Sequence, residues 1–314
     1  MITIVKPWKK MRSRTIWIIV GIISTLIVIY YFQNKEADIS RRLPKVLISG
    51  AAKCGTTALA TFLRFHPQLK FTDQEEVCYF SRYKHFSKGT DWYRNLMPLS
   101  SKIGGELTVE KCPDYWEQIQ ALERIHGMDS DIRLLIILCN PVKQVISRYT
   151  QRKNSWLHKA EQLHNIQTKG QTWNLTFEDF AIDPSTGGVR VEWDAIQKAI
   201  FINHIRNVFY IFENSQVHII DGDNFVHNPV FELRKVETFL GLGHVFKDDF
   251  FAYDEEKGFY CMTTDKGKHK NCLSKAKGRP HPRIDGTVMK KLKSFFWPRN
   301  EEFYGLIGRR YNWE

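Results

Sequence analysis

The chain has 314 residues, of which 43% are hydrophobic and 25% charged, as is typical of a packed globular protein. No repeat occurs at the periods of solenoid proteins, which excludes that class. The formal net charge is +12, and because five positive charges lie in the first 14 residues, +12 − 5 = +7 remains for the rest. This surplus favours an anionic partner, whether nucleic acid, anionic lipid or acidic polysaccharide.

An uncharged stretch of eighteen residues, 15–32, reads TIWIIVGIISTLIVIYYF, which is about the minimum that crosses a bilayer core. A signal peptide is the alternative, but its apolar run is roughly 7–15 residues and a small-residue cleavage site follows it. Here the run is longer, no such site follows, and the aromatic end suits a membrane interface. We therefore predict an uncleaved transmembrane anchor.

The five positive charges before this segment are expected to stay in the cytosol. This predicts a type II membrane protein with a cytosolic tail at 1–14, a short polar stem at 33–44 and a luminal domain at 45–314. Asn174 begins an Asn-Leu-Thr sequon, which is glycosylated only in the lumen. The lumen is oxidising, and Cys261 and Cys272 bracket a short polar loop, so we predict that they form a disulfide.

The predicted elements of the luminal domain alternate between strands and helices. Strands are predicted at 45–49, 105–109, 133–139 and 217–220. Helices are predicted at 56–65, 141–149, 193–212, 231–240, 285–296 and 301–307. The run Arg133–Cys139 is nearly all apolar, as expected for a central parallel strand covered on both faces. The alternation predicts an α/β fold with a central parallel sheet. The stretch 155–191 lacks clear periodicity and is predicted to cross one face as a long excursion.

A strand–turn–helix junction at residues 49–58 reads SGAAKCGTTA. Successive backbone N–H groups and the helix N-terminus at such a junction form an anion site. Lys53 adds a positive charge, and the two threonines at 56 and 57 add hydroxyl donors. A kinase-type Walker A loop would place its lysine after the second glycine, whereas Lys53 precedes Gly55. This order resembles the P-loop-like phosphosulfate-binding loop of sulfotransferases.

Two charged residues beyond the first helix are candidates for chemistry. Glu76 lies beside the apolar stretch 77–80, where burial would raise the pKa of a carboxyl and make it a general base for a hydroxyl nucleophile. A surface acid without a catalytic role is the alternative. Lys111 lies just after the end of a predicted strand, at the edge where open α/β sheets bind ligands.

Several separate stretches resemble one family, the heparan sulfate glucosamine 3-O-sulfotransferases, from about Pro44 to Trp313. The matching stretches are 53–56, 76–80, 91–93, 97–98, 108–111, 140–141, 147–151, 217–223, 257–261, 272–273 and 277–282. The resemblance implies the sulfotransferase fold, preceded here by one transmembrane helix. It also implies transfer of a sulfuryl group from 3′-phosphoadenosine 5′-phosphosulfate (PAPS) to the glucosamine 3-hydroxyl of heparan sulfate in the Golgi. Heparan sulfate, rather than nucleic acid, would then be the anionic partner.

The resemblance also implies donor-binding positions. The 5′-phosphosulfate would be cradled by Lys53, Cys54, Gly55, Thr56 and Thr57, with Lys53 stabilising charge on the bridging oxygen. Ser147 would hold the 3′-phosphate. The donor would be wrapped by Lys277, Gly278, Arg279, Pro280 and His281. No metal is expected, because the lysines neutralise the donor.

On the acceptor side, the resemblance implies that Glu76 takes the proton from the sugar 3-hydroxyl. Lys111 and Gln151 would contact the sugar. Cys261 and Cys272 would form a disulfide typical of the family. Two alternatives stay open: a catalytically weakened member that binds heparan sulfate without sulfating it, and a sulfotransferase that acts at another position, such as the amino group.

The chain departs from the family pattern at four positions that hold cysteine. Cys54 stands in place of a loop glycine, Cys78 of a histidine, and Cys112 of a threonine or similar residue. Cys139 stands in place of an arginine that normally pairs with the 3′-phosphate. Because a charge-assisted hydrogen bond contributes roughly 1.5–3 kcal/mol, this loss predicts donor binding about 10- to 150-fold weaker.

Two nearby cations, Lys143 and Arg148, are candidates to compensate for that loss, while Gln144 stands where family members often carry arginine. The four cysteines are expected around one cleft. We predict one disulfide among them, Cys78 with Cys112. A zinc site is the alternative, although no Cys-x-x-Cys spacing supports it.

Overall fold

The computed structural model describes residues 13–162, 175–264, 269–272 and 281–313. It begins with helix α1 (Ser13–Ala37), which β1 (Ile39–Arg41) follows almost at once. The predicted polar stem at 33–44 is therefore largely helix and strand. Over the part of the chain that the structure describes, no helix has both the length and the hydropathy that crossing a membrane requires. The anchor at 15–32 stays a prediction.

The remaining elements alternate along the chain, as the sequence predicts. The further strands are β2 (Val46–Gly50), β3 (Leu69–Phe71), β4 (Leu99–Ser101), β5 (Leu107–Lys111), β6 (Arg133–Leu138), β7 (Val217–Asp221), β8 (Phe251–Asp254), β9 (Phe259–Thr264) and β10 (His269–Asn271). The further helices are α2 (Thr56–Leu63), α3 (Tyr83–Phe86), α4 (Gly89–Asn95), α5 (Ile119–Met128), α6 (Pro141–Gln162), α7 (Phe177–Ala181), α8 (Asp194–Ala199), α9 (Phe201–Ile211), α10 (Gly222–His227), α11 (Pro229–Leu240) and α12 (Gly286–Ile307).

Five parallel strands form the central sheet, in the order β3-β5-β2-β6-β7. Alternate residues of β2 and β6 enter two different apolar clusters, one on each face of the sheet. Leu47 and Ile136 belong to the first cluster, while Ile48 and Ile137 belong to the second. Burial on both faces explains the continuous apolar run of β6 and confirms the predicted α/β fold with a central parallel sheet.

Several predicted boundaries differ from the structure. The helix predicted at 193–212 is interrupted at Ile200, whose φ of −82° and ψ of 76° are not helical. The two helices predicted at 285–296 and 301–307 form one helix, α12, with Pro298 inside it. The helix predicted at 141–149 continues as far as Gln162. Pro298 and weak amphipathic periodicity favoured the shorter helices predicted at 141–149, 285–296 and 301–307. Tertiary packing overrides these local signals.

The stretch without periodicity, 155–191, is only partly described. Its first part completes α6, and its last part contains α7 and a bridge between Ile182 and Val189. The small antiparallel sheet β10-β9-β8 and the short edge strand β3 were not predicted. β3 has three residues and β8 has four, which is too short for a clear alternating pattern.

Candidate active site

The junction between β2 and α2 is a candidate anion-binding loop, residues 50–55, which we call the phosphate loop. Lys53 and Gly55 have φ values of 76° and 107°, so both adopt left-handed backbone. Left-handed residues among right-handed ones turn successive N–H groups toward one concave side, which suits an anion. Gly50 ends β2 where a Cβ would lie 2.3 Å from the indole of Trp116, so no other residue fits without a shift.

Three contacts hold the phosphate loop against β6, against the residue that follows β6, and against α6. The amide of Ala51 donates to the carbonyl of Ile137 at 2.8 Å. The side-chain amide of Gln144 donates to the carbonyl of Ala52 at 2.9 Å. Cys54 forms a disulfide with Cys139, with their Cα atoms 5.2 Å apart. Cys139 is therefore tied to the loop that it faces, and Gln144 supports the backbone of that loop.

Three cationic or titratable side chains face each other beside the phosphate loop. Partial burial lowers the pKa of His281, and the charges of Lys53 and Lys143 lower it further. Lys143 also pairs with Asp223, with Nζ 2.8 Å from the carboxylate. The positive charges of Lys53 and Lys143, which Asp223 offsets in part, favour an anion beside His281.

Arg148, the other candidate to compensate for the missing arginine, points to a different partner. Its guanidinium lies 2.7 Å from the carboxylate of Glu117, which Lys198 also contacts at 2.8 Å. Burial raises the pKa of Glu117, and the nearby charge of Arg148 opposes that rise. Lys143, near Lys53 and His281, is the better-placed substitute.

The segment 74–80, which we call the base loop, meets the first turn of α2 at Lys111, just after the phosphate loop. The Lys111 ammonium lies 3.1 Å from Glu76 and 3.4 Å from Glu75, and it donates to the hydroxyl of Thr57 at 3.4 Å. The Lys111 side chain is only 3% exposed. This lysine therefore joins the candidate base to the first turn of α2.

The Glu76 side chain is 40% exposed, which agrees with a surface acid rather than with burial against the stretch 77–80. The buried carboxyl is the neighbouring Glu110, which sequence reasoning did not single out. Burial raises the pKa of Glu110 to about 7, although hydrogen bonds from the Cys78 amide and two tyrosines oppose the rise. The only signal in the sequence was an acid inside an apolar strand, directly before Lys111.

All six cysteines are described, and they form three pairs at disulfide distance. Cys78 pairs with Cys112, which is the pair that the sequence predicted, and their Cα atoms lie 5.1 Å apart. The expectation of one disulfide among the four unusual cysteines is corrected to two. Because disulfide sulfurs are not thiolates, this pairing does not fit the zinc alternative. Cys261 and Cys272 form the third pair, 4.5 Å apart at Cα.

The remaining predicted residues lie apart from these contacts or outside the described residues. Ser147 is half-buried and Gln151 is exposed, about one turn apart on α6. The residues that lie outside the described part of the chain are Asn174, Lys277, Gly278, Arg279 and Pro280. A cavity of about 160 Å³ opens beside Lys111, between α2 and the base loop, and is lined in part by Thr57, Arg64 and Glu75.

The arrangement suits transfer of a group from an anionic donor to a hydroxyl. The phosphate loop offers backbone N–H groups and positive charge, and the base loop offers a carboxylate on the other side of Lys111. A carboxylate can take the proton from a hydroxyl nucleophile, and backbone N–H groups and cations can stabilise a leaving anion.

The chain is similar in sequence to known sulfotransferases. Residues 43–300 match the family model described as "Sulfotransferase domain". Heparan sulfate glucosamine 3-O-sulfotransferase 5 of Mus musculus is 37% identical over 276 residues, which cover 88% of this chain and 75% of that protein. The Homo sapiens protein of the same name is 36% identical over 281 residues, with coverage of 90% and 77%.

A solved structure shares the fold. The sulfotransferase from Alicyclobacillus acidocaldarius aligns with a TM-score of 0.60 at 20% identity, covering 86% of this chain and 98% of that one. At this identity the likeness concerns the path of the backbone.

Proposed function

The chain belongs to the heparan sulfate glucosamine 3-O-sulfotransferase family, and on this basis we propose that it transfers a sulfuryl group from PAPS to the 3-hydroxyl of glucosamine units in heparan sulfate. The observation that carries the proposal is the bridge that Lys111 forms between Glu76 and Thr57, in the first turn of the helix that follows the phosphate loop. A donor site and a candidate base on opposite sides of one buried lysine are what an in-line transfer requires.

The donor side of the proposal rests on fixed positive charge and backbone donors. The phosphate loop holds the 5′-phosphosulfate, and Lys53 stabilises the charge that develops on the bridging oxygen. Lys143 and His281 lie near Lys53 and suit a second anionic group. Ser147 contributes to the 3′-phosphate site, and the segment 277–281 wraps the donor.

The acceptor side supplies the nucleophile and removes its proton. Glu76 takes the proton from the sugar 3-hydroxyl as that oxygen forms a bond to sulfur. The bond between sulfur and the bridging phosphate oxygen breaks, and adenosine 3′,5′-bisphosphate leaves with the electron pair. Lys111, 3.1 Å from Glu76, pairs with that carboxylate and, with Gln151, orients the sugar.

The cellular setting is also part of the proposal. The apolar segment 15–32 anchors the protein in the Golgi membrane with its catalytic domain in the lumen. Three disulfides suit an oxidising compartment. The sequon at Asn174 is then available for glycosylation.

The test is transfer of radiolabelled sulfate from PAPS to heparan sulfate by the full-length protein in detergent, beside Glu76→Gln. We expect transfer by the parent, and a loss of about 10²- to 10⁴-fold in the variant, since general base catalysis contributes that much. Disaccharide analysis of the product must show sulfate at the 3-position, and sulfate on the amino group would overturn that part of the proposal.

One observation favours a second candidate, a member that binds heparan sulfate without sulfating it. Cys139 stands where the family has a donor-binding arginine, and Arg148 is engaged with Glu117. A folded parent that binds both heparan sulfate and adenosine bisphosphate, but transfers no sulfate, would support this candidate over the enzyme.

A further inference from the structure

The carboxyl of Glu110 is fully buried at the end of β5, and the proposed reaction does not use it. Its Oε1 accepts a hydrogen bond from the backbone amide of Cys78 at 3.1 Å, and its Oε2 accepts one from the Tyr93 hydroxyl at 3.3 Å. Tyr115 is a further hydrogen-bond partner. A buried acid is costly, so its full set of partners indicates a specific task.

The amide that Glu110 holds belongs to the base loop, two residues after Glu76. Cys78 has a φ of 51°, in the left-handed region that residues other than glycine rarely adopt. Such a conformation persists only where the surroundings hold it. Here the surroundings are the Glu110 carboxyl and the disulfide to Cys112.

The other groups around Glu110 are hydrogen-bond donors and charges that act on its carboxyl. Burial, together with the charge of Glu110, raises the pKa of Tyr93 and of Tyr115 well above the usual value, so both remain neutral donors. Tyr115 comes from the turn after β5 and also accepts the amide of Phe80 at 3.4 Å. The negative charge of Glu76 also raises the pKa of Glu110. Lys111 follows Glu110 on the same strand.

We propose that Glu110 is a positioning residue, which holds the base loop by the Cys78 amide so that Glu76 stays against Lys111. This inference rests on the proposed function, because positioning matters only if Glu76 is the base. Without the acceptor, the amide of Cys78 is left unpaired and the loop relaxes toward an ordinary backbone conformation. A displacement of about 1 Å at a catalytic group costs as much as about 100-fold in rate.

The test compares two substitutions of Glu110 in the full-length protein. Glu110→Leu removes the acceptor, whereas Glu110→Gln keeps an oxygen that can accept the Cys78 amide. We expect kcat to fall by at least about ten-fold in Glu110→Leu, as for the loss of one buried hydrogen-bond acceptor, and by less than about three-fold in Glu110→Gln. The affinity for adenosine 3′,5′-bisphosphate, measured by calorimetry, should not change in either variant.

Glu237 provides a matched control. It is also a buried acid, 1% exposed, and its Oε1 accepts the amides of Val245 and Phe246 at 2.7 and 3.1 Å. Its contacts involve neither the base loop nor the phosphate loop. Glu237→Leu should lower the melting temperature as Glu110→Leu does, with kcat of the folded protein within about two-fold of the parent. An equal loss of kcat in both leucine variants would overturn the positioning role.

A second readout does not depend on turnover. Hydrogen exchange followed by mass spectrometry should show faster exchange in the base loop of Glu110→Leu, with the phosphate loop unchanged. Tyr93→Phe, which removes one donor to Glu110 and keeps the ring, should show the same change to a smaller extent. If the parent transfers no sulfate, the proposed function fails, and unchanged exchange in Glu110→Leu would overturn the inference separately.

Discussion

The phosphate loop and the base loop are both fastened to the carboxyl edge of the sheet by a disulfide, but they are built differently. The phosphate loop offers its own backbone N–H groups, and its shape comes from the left-handed residues Lys53 and Gly55. The base loop offers a side chain, Glu76, whose place depends on Glu110 and Lys111 from β5. The shape of the phosphate loop depends on its own backbone, whereas the position of Glu76 in the base loop depends on residues of β5.

This difference has a consequence for how each loop responds to substitution. A loop that binds through backbone groups tolerates many side-chain changes, provided that its φ values and glycines are kept. A loop whose active group is held from outside is sensitive to residues that never touch the substrate. Variants of the two loops should therefore differ in donor affinity, protein stability, pH dependence and histidine titration.

The largest expected effect separates binding from chemistry. Lys53→Met should lower kcat by about 10²- to 10³-fold, as does removal of one charge stabiliser at an oxyanion, and should also weaken adenosine bisphosphate binding. Glu76→Gln should lower kcat without changing that affinity. Initial rates at saturating substrates, with calorimetry of the bisphosphate, measure both quantities. Unchanged donor affinity in Lys53→Met would place this lysine outside the donor site.

The disulfides should differ in their contribution to stability. They span 85, 34 and 11 residues for Cys54–Cys139, Cys78–Cys112 and Cys261–Cys272. Loop-closure entropy then predicts losses of about 4.6, about 3.8 and about 2.8 kcal/mol for the paired alanine variants, by the chain-entropy relation. Guanidinium unfolding of the three double variants measures this order.

The first two disulfides should also differ in function. Without Cys54–Cys139 we expect weaker binding of adenosine bisphosphate, because the phosphate loop loses its covalent link to the segment that follows β6. Without Cys78–Cys112 we expect a lower kcat with unchanged binding. The Cys261–Cys272 variant controls for general destabilisation, and three variants with the same kinetic profile would argue against separate roles. Counting thiols by intact mass before and after reduction tests the pairing itself.

The stability of the protein should depend on pH through Glu110. Its pKa is raised from 4.5 to about 7 in the folded protein, so the folded state keeps a proton that the unfolded state releases. Stability therefore falls as pH rises from about 4.5 to about 7, by up to about 3 kcal/mol from this group. Glu110→Gln should lack this slope, whereas Glu237→Gln should keep it, in urea unfolding at about pH 5 and about pH 8. A parental slope in Glu110→Gln would assign the effect to another group.

The locally specified parts of the molecule were the ones that sequence reasoning predicted. The central strands, α2 and the phosphate loop follow from apolar runs and from the placement of Lys53 and Gly55. The pairing of Cys78 with Cys112 followed from the expectation of a shared cleft. These features depend on residues that lie close together in the chain or at the same edge of a parallel sheet.

The features that sequence reasoning missed depend on distant contacts. Glu110 is a short-range neighbour of Lys111, but its partners Cys78 and Tyr93 lie 32 and 17 residues away. The second disulfide, Cys54–Cys139, joins the segments that follow β2 and β6, and no local pattern gives the adjacency of these two strands in the sheet. Tertiary neighbours decide these features, so one sequence does not contain a local signal for them.

The smallest predicted effect tests whether His281 belongs to the donor site. Its pKa is lowered by partial burial and by the charges of Lys53 and Lys143. An anion bound between these groups offsets both charges, so saturating adenosine 3′,5′-bisphosphate should raise the pKa of His281 by about one unit. Side-chain NMR titration measures the shift, and Lys143→Met should raise the pKa in the free protein in the same direction.

His218 is the control for this titration, because it is half-buried and stacked on Phe239, and desolvation lowers its pKa to about 4. Its titration should not respond to the bisphosphate. If both histidines shift together, the ligand acts through a general change of the fold. If His281 does not shift at saturation, the positive cluster beside the phosphate loop is not where the donor's anionic groups lie, and the base loop would be the better-supported half of the site.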